Sequence, residues 1–507
     1  MQKKTLLLIG FIVLKFVLQY LLVSPEYELH RDEYLHLDQG KHLAWGYLSV
    51  PPFTSWISWL ILQLGNGEFW VRFFPALFGA LTLLLVWKAA EALNGGLFAL
   101  CLSAIAVLFS VLLRLNILYQ PNSMDVLSWV FLYFCVLKYI RTRNNTWIWF
   151  AAVGFAVGFL NKYNIAFAVV GLLPALLLTE HRSVLLNKHL YLSILFAFIL
   201  VLPNLWWQYT HGFPVFHHMR ELTNTQLVNI SRVGFLKDQL LFFLSTFLIL
   251  LAGVLSFFLY PPFKKYLVFF YAFIFTLCLF IFLRAKSYYA IGLYPILFAF
   301  GSVYMEHLFQ HGWKKWLRPV AIAIPLLLFI PFIQLAFPLK RPAAIVADPA
   351  IYKKLGMLQW EDGKEHAIPQ DFADMQGWRE LAGIVDSVYA SVPDKEHTLI
   401  RTDNYGQAGA INFYTRTKHL QALSYNADYI YWFPRKKWVN MIMIKDVTDE
   451  DPGRKKEKQF FDTVYLAGKI RNSFAREAGT AVYVLLNAKP GVNEMLQGEI
   501  KKLQQRF

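Results

Sequence analysis

The sequence predicts a polytopic α-helical membrane protein carrying a small α/β domain at its C-terminal end. Three observations predict it. Of the 507 residues, 57% are hydrophobic and only 16% charged, an apolar excess that a water-soluble chain of this size would have to expose. Apolar runs of about 20 residues, enough to cross a hydrocarbon core of ~30 Å, recur as far as residue 336. Beyond it, charged residues become dense and no stretch is long and apolar enough to span.

The first candidate span, 5–23, follows Lys3 and Lys4 and lacks the small-residue cleavage site of a removed signal peptide, so it reads as a retained start-transfer helix. After a loop at 24–68, further runs fall at 69–90, 96–113, 123–140, 146–161, 163–179, 189–207, 238–260, 266–283, 288–307 and 317–336, about eleven spans in all. Short cytoplasmic loops are rich in Lys and Arg. With the N-terminus inside, the inner loops carry Lys88, then Lys138, Arg141 and Arg143, then Arg182 and Lys188, then Lys264 and Lys265, then Lys314 and Lys315. The outer side takes the acidic first loop, the segment 208–237, the linker with Arg284 and Lys286, and the tail. An odd number of spans exports the tail. The expected division is therefore a transmembrane domain at 1–340 and a soluble extracytoplasmic α/β domain at 341–507, in an inner (plasma) membrane.

Composition also excludes. The net charge of +16 lies largely in short loops, where topology and anionic headgroups account for it without a nucleic-acid partner. Cys101, Cys135 and Cys278 all sit in apolar runs, so no disulfide framework or cysteine metal cluster is available. In the tail, 371–391 has helical periodicity from a cap at Asp371. Short β-like runs follow at 398–402, 440–447 and 480–486, with a last helix near 491–504.

The chemistry concentrates in HRDEYLHLDQGKHLAWGYLSVPPFTSW, residues 30–56. Asp32 and Glu33 come directly after the first span, followed by Tyr34, Leu35, Leu37, Leu43, Trp45 and Tyr47, an amphipathic run that suits a membrane surface. Both carboxylates also fit the first turn of a short helix, where acidic side chains cap and oppose the dipole. Polar groups at membrane depth are costly and invite a functional reading. Several share the expected outer side: Arg114, Asn116, Gln120, Asn122 and Asp125; Asn161, Lys162 and Asn164; Asn204, Gln208 and His211; Arg284, Lys286, Tyr288 and Tyr289. Converging, they would form a cavity in which cations hold a phosphate and a carboxylate acts as general base toward a hydroxyl.

These stretches, together with LNKYN, LPNLWWQYTHGFP, KSYYAIGLYP and DNYGQAGAINFYTR, resemble bacterial members of glycosyltransferase family 39 and the related GT-C group. That group includes polyprenyl-phosphate-sugar-dependent transferases akin to protein O-mannosyltransferases, the aminoarabinose transferase of lipid A and rhizobial galacturonosyl transferases. The resemblance extends to about residue 426. It implies a GT-C-like membrane domain and an inverting transfer of a sugar from a polyprenyl-phosphate donor to a hydroxyl of a lipid, glycan or protein acceptor. It places Asp32 at the catalytic-base position, with Glu33 beside it. Lys286, Tyr289 and Lys162 stand where the family holds the lipid phosphate, and Arg31 where a basic residue precedes the acidic pair. Tyr288, Asp125, Asn204, Gln208 and His211 are further pocket candidates. A divalent metal ion stays open, with Asp32 and His36 on one helix face as candidate ligands and His211, His217 and His218 on the same side. The glycines of DNYGQAGAINFYTR read as a tight turn, with an approach of Asn404–Gly406 to the acceptor as the alternative. A transporter or flippase for a lipid-linked sugar is the alternative, but it would need polar groups on both faces.

Overall fold

The computed structural model describes residues 2–225 and 230–505, so residues 226–229 of the expected outer segment 208–237 lie outside the described residues. In chain order the helices are α1 (Gln2–Leu21), α2 (Arg31–Gln39), α3 (Phe53–Gln63), α4 (Glu68–Ala92), α5 (Leu97–Leu108), α6 (Val111–Leu115), α7 (Pro121–Thr142), α8 (Thr146–Asn161), α9 (Ile165–Leu177), α10 (Lys188–Thr210) and α11 (Pro214–Thr225). The membrane part continues through α12 (Arg232–Phe242), α13 (Phe247–Leu259), α14 (Leu267–Phe282), α15 (Pro295–Leu308) and α16 (Leu317–Ala336). The tail adds α17 (Pro342–Ala347), α18 (Ala350–Lys354), α19 (Gln370–Ala373), α20 (Trp378–Ser391), α21 (Tyr405–Tyr414) and α22 (Val492–Gln504).

Every expected apolar run is helical, but not every one is a straight span. Among the described residues six helical stretches are long and apolar enough to cross a membrane, and up to nine if each bent pair is one span. The bent pairs are α9 with 180–186 at 115°, α12 with 244–259 at 61°, and 287–293 with α15 at 48°. The last break has a plain cause: Pro295 opens α15, and proline removes a backbone donor and crowds the preceding turn. Close helix crossings rest on glycine. A Cβ on Gly301 of α15 would lie 2.9 Å from the backbone nitrogen of Gly253 on α13, so small residues here let two backbones meet as membrane helices do.

The tail contains a five-stranded sheet ordered β2-β1-β3-β5-β4. Its strands are β1 (Thr398–Thr402), β2 (Ala422–Ser424), β3 (Asn440–Lys445), β4 (Phe461–Lys469) and β5 (Ala481–Ala488). β2, β1 and β3 run parallel, while β5 is antiparallel to both β3 and β4. The three expected strands are β1, β3 and β5. β2 is too short to show alternation, and β4 is a mostly exposed edge strand. The expected helix from Asp371 is interrupted: α19 is a single turn, and Gly377 at φ 85° sets a left-handed step before α20.

α2 does not lie along a membrane surface. Tyr34, Leu35, Leu37 and Tyr47 are buried, and only Leu43 and Trp45 of the amphipathic run are exposed. The first three join one core with Leu29, Ile61, Val71 and Tyr119 on one side and Trp378, Val385, Ala408 and Ile411 of the tail on the other. Burying Leu35 and Leu37 contributes about 1.5–3 kcal/mol each, which clamps α2 between bundle and sheet.

Candidate active site

Helix α2 begins at a capping box. The His30 ring nitrogen accepts from the backbone N–H of Asp32, and Glu33 accepts from the backbone N–H of His30. The second Glu33 oxygen accepts from the backbone N–H of Tyr119 at 2.6 Å. Burial pushes the Glu33 carboxyl above its usual range, although Arg72 and these two N–H groups oppose the rise. Glu33 is thus fully engaged in fixing α2 to the turn before α7.

Asp32 faces the other way. Its side chain keeps 41% of its accessibility while protein encloses it, as a group lining a recess does. One carboxylate oxygen accepts from the Tyr405 hydroxyl at 2.7 Å, the other from the Gln120 amide at 3.1 Å. His30 lies 4.0 Å away. Burial works against ionisation, but His30, the Tyr405 hydroxyl, Arg31 and His36 together outweigh it and hold the carboxyl below its ordinary range.

From Asp32 a polar chain runs toward the bundle. Gln120 accepts from Asn122 at 3.0 Å, and Asn122 accepts from the Lys162 ammonium at 2.8 Å. Lys162 sits in the turn between α8 and α9, over the Tyr289 ring at 4.4 Å and the Tyr288 ring at 5.0 Å. Burial pushes its ammonium down to about 8; Asp125 opposes this and Lys286 adds to it. Tyr288 in turn feels the charge of Asp32, so chain and recess close on each other. Among the described residues neither Lys162 nor Lys286 has a carboxylate within ion-pair distance. Lys162 and Lys286 feel each other's charge, with Asp125 as the acidic group acting on Lys162, and ammonium groups outside an ion pair suit an anion.

The remaining candidates divide. Asp125 is buried beside this chain, accepting from Trp129 at 3.1 Å and from Asn164 at 2.8 Å. Arg31 stays on the tail side of Asp32: its guanidinium stacks on Tyr405 at 4.6 Å, and Asp374 and Glu477 are its other charged neighbours. Asn204 and Gln208 bond the Tyr163 hydroxyl at 3.0 and 3.1 Å, and Asn204 also donates to the Trp45 carbonyl, pinning α10 to the first loop. His211 stacks on Trp207, with ring centroids 4.1 Å apart. For a metal, Asp32 and His36 bring two donor groups, His36 meeting Gln39 at 3.1 Å. Among the described residues no group of three His, Cys, Asp or Glu gathers to hold an ion.

His30 has no role of its own in the sequence reading, and Tyr405 enters it only within 404–406, where an approach to the acceptor is the alternative to a structural turn. Tyr405 is the first of the three aromatic residues in DNYGQAGAINFYTR, the motif that reads as a turn. Asn404 caps α21 by accepting from the Gln407 N–H, and Glu477 holds both side-chain amides at 3.0 and 2.7 Å. The motif therefore both turns the chain and delivers a hydroxyl to Asp32.

Residues 49–207 match the family described as dolichyl-phosphate-mannose-protein mannosyltransferase. The lipid A galacturonosyltransferase RgtD of Rhizobium johnstonii is 24% identical over 205 residues, 39% of this chain and 42% of that protein. This chain's match thus spans about two fifths of that relative's length. The crystal structure of ArnT from Cupriavidus metallidurans bound to undecaprenyl phosphate superimposes with a TM-score of 0.64 at 15% identity, covering 94% of this chain and 97% of that one. Its apo state gives the same TM-score over 95% and 98%. The fold is that of ArnT. The partial family-model match, the curated relative and the solved structures all point to the GT-C group that the motifs indicate.

Proposed function

We propose that this protein is a membrane glycosyltransferase that moves a sugar from a polyprenyl-phosphate-linked donor to a hydroxyl of a lipid, glycan or protein acceptor. The observation that carries the reading is the polar chain that joins one open carboxylate, Asp32, through Gln120 and Asn122 to the Lys162 ammonium, which also feels the charge of Lys286. Lys162, Lys286, Tyr288 and Tyr289 hold the phosphate. Asp32 receives the acceptor's hydroxyl proton as that oxygen bonds the anomeric carbon. The carbon–oxygen bond to phosphate breaks, and the polyprenyl phosphate leaves with the electron pair. A single displacement inverts the anomeric centre. No step is routed through a metal.

The recess lies on the same side of the bundle as the tail, which supports an inner-membrane enzyme with a cytoplasmic N-terminus and an extracytoplasmic tail. Undecaprenyl phosphate in the ArnT crystal structure supports a polyprenyl-phosphate carrier for the donor, and lipid A in the name of RgtD makes a bacterial envelope glycolipid a natural acceptor class.

The test is Asp32→Asn in the purified full chain. It keeps size, its amide oxygen still accepts from Gln120 and its amide nitrogen can donate to the Tyr405 hydroxyl oxygen, but it loses basicity, so transfer should fall about a hundred- to ten-thousand-fold while polyprenyl-phosphate binding persists. Unchanged transfer would remove Asp32 from the role. Lys286→Ala should raise the apparent donor KM more than it lowers kcat, and release of free polyprenyl phosphate during turnover separates transfer from transport.

A further inference from the structure

We infer that a cavity between the C-terminal end of α2 and the tail is a carbohydrate subsite that holds one pyranose-sized unit of the acceptor, an inference that rests on reading the chain as a sugar transferase. The cavity encloses about 360 Å³, within the range of small-ligand sites. Asp38, Lys41 and His42 supply its loop wall; Asn412, His419, Gln421 and Trp432 supply most of its tail wall.

Its surface has the two features that sugars require. The first is a flat aromatic face: the His42 ring lies parallel to Trp432, centroids 4.2 Å apart at 13°. Burial pushes the His42 imidazole below its usual range, so near neutral pH the stack is uncharged and suits the C–H face of a sugar ring. The second is a rigid polar frame. Asp38 accepts from Lys41 at 2.8 Å, Asn412 at 2.6 Å and the Tyr429 hydroxyl at 2.6 Å. Asn412 also exchanges both of its amide bonds with the Ala422 backbone. These walls are spoken for, and the Gln421 amide nitrogen meets His42 Nε2 at 3.5 Å, which leaves the Gln421 carbonyl oxygen and the spare Lys41 donors to meet hydroxyls.

The alternatives fit less well. Lys41 is already paired with Asp38, so the cavity is not built for a phosphate, and among the described residues no three metal-ligating side chains gather there. The occupant is the acceptor and not the donor because the cations that suit the donor phosphate lie beyond Asp32, at the other end of α2. From Asp38 to Asp32 is about 9 Å of helix rise. His211 fits this picture as well: its ring meets Tyr431, the neighbour of Trp432, edge-on at 6.4 Å.

The experiment is saturation-transfer NMR on the full chain in detergent, with methyl α-D-glucopyranoside, N-acetylglucosamine and galacturonic acid as probes. At least one should receive saturation from the wild type and equally from Asp32→Asn. Gln421→Ala, a surface change that leaves the core intact, should weaken that binding about tenfold, and Trp432→Ala should abolish it. No transfer to any probe, or transfer that survives both variants, overturns the inference. So does displacement of the probe by undecaprenyl phosphate, which would assign the cavity to the donor. Probe binding by a chain that catalyses no transfer would sink the transferase reading alone, and transfer without probe binding would sink the subsite alone.

Discussion

At the scale of the residue, Asp32 must be ionised before reaction and needs only modest basicity. The acceptor hydroxyl becomes strongly acidic as its oxygen bonds carbon, so a carboxylate held below its ordinary range can still take the proton then. The groups facing it are His30, Arg31 and His36 from its own segment, Tyr405 from the tail and Tyr288 from the bundle. A hydrogen bond to the charged form favours that form. Removing the Tyr405 hydroxyl therefore raises the Asp32 pKa, and the acid limb of kcat/KM should move to higher pH in Tyr405→Phe. The ring that carries Arg31 is kept in that variant, so donor KM at neutral pH should hold. A pH–rate profile that superimposes on the wild type would exclude Tyr405 as a positioning residue. On the alkaline side, Lys162 with its pKa near 8 should lose its charge and with it donor affinity, so donor KM should climb between pH 8 and 9 and Lys162→Arg should flatten that rise.

At the scale of the element, α2 is a short helix whose placement decides whether Asp32 meets the recess. Its anchor is Glu33, whose two oxygens accept backbone N–H groups from His30 and Tyr119. Glu33→Gln puts an N–H donor against one of those amides. An unsatisfied buried donor costs about 1–3 kcal/mol, so this variant should melt at lower temperature in detergent and lose kcat through displaced Asp32, whereas Asp32→Asn should melt like the wild type. Equal melting of all three would exclude the anchoring role. This division of labour was half legible in the sequence. Adjacent carboxylates at a helix start announce both capping and chemistry, and the family motifs pick out Asp32, Lys162 and Tyr289. They do not say that Glu33 is consumed by the cap. Nor does an apolar stripe reveal its partner: Tyr34, Leu35 and Leu37 read the same whether they face lipid or a sheet built several hundred residues later. Tyr405 was hidden for that reason, being 373 residues from Asp32.

At the scale of the whole molecule, composition made the spans readable, while the bends at 243–246 and 294 depend on packing that no hydropathy pattern records. Charge distribution, however, carries a global prediction. The basic loops assigned to one side meet in space: Arg141 bonds the Ala92 carbonyl and Asn94, Arg143 faces His181, and His181 contacts the Lys265 carbonyl. Asp32, Lys162, Lys286 and Tyr405 gather elsewhere, around the first loop and the tail. Anionic lipid and the membrane potential favour keeping the basic pole in the cytoplasm, so recess and tail are predicted to lie outside. In a background without Cys101, Cys135 and Cys278, a membrane-impermeant maleimide applied to intact spheroplasts should label Lys455→Cys and spare Lys315→Cys, both being exposed positions. Permeabilised cells should label both. Labelling of Lys315→Cys alone before permeabilisation would invert the molecule and put the proposed base on the cytoplasmic side, where an acceptor in the outer leaflet could not reach it.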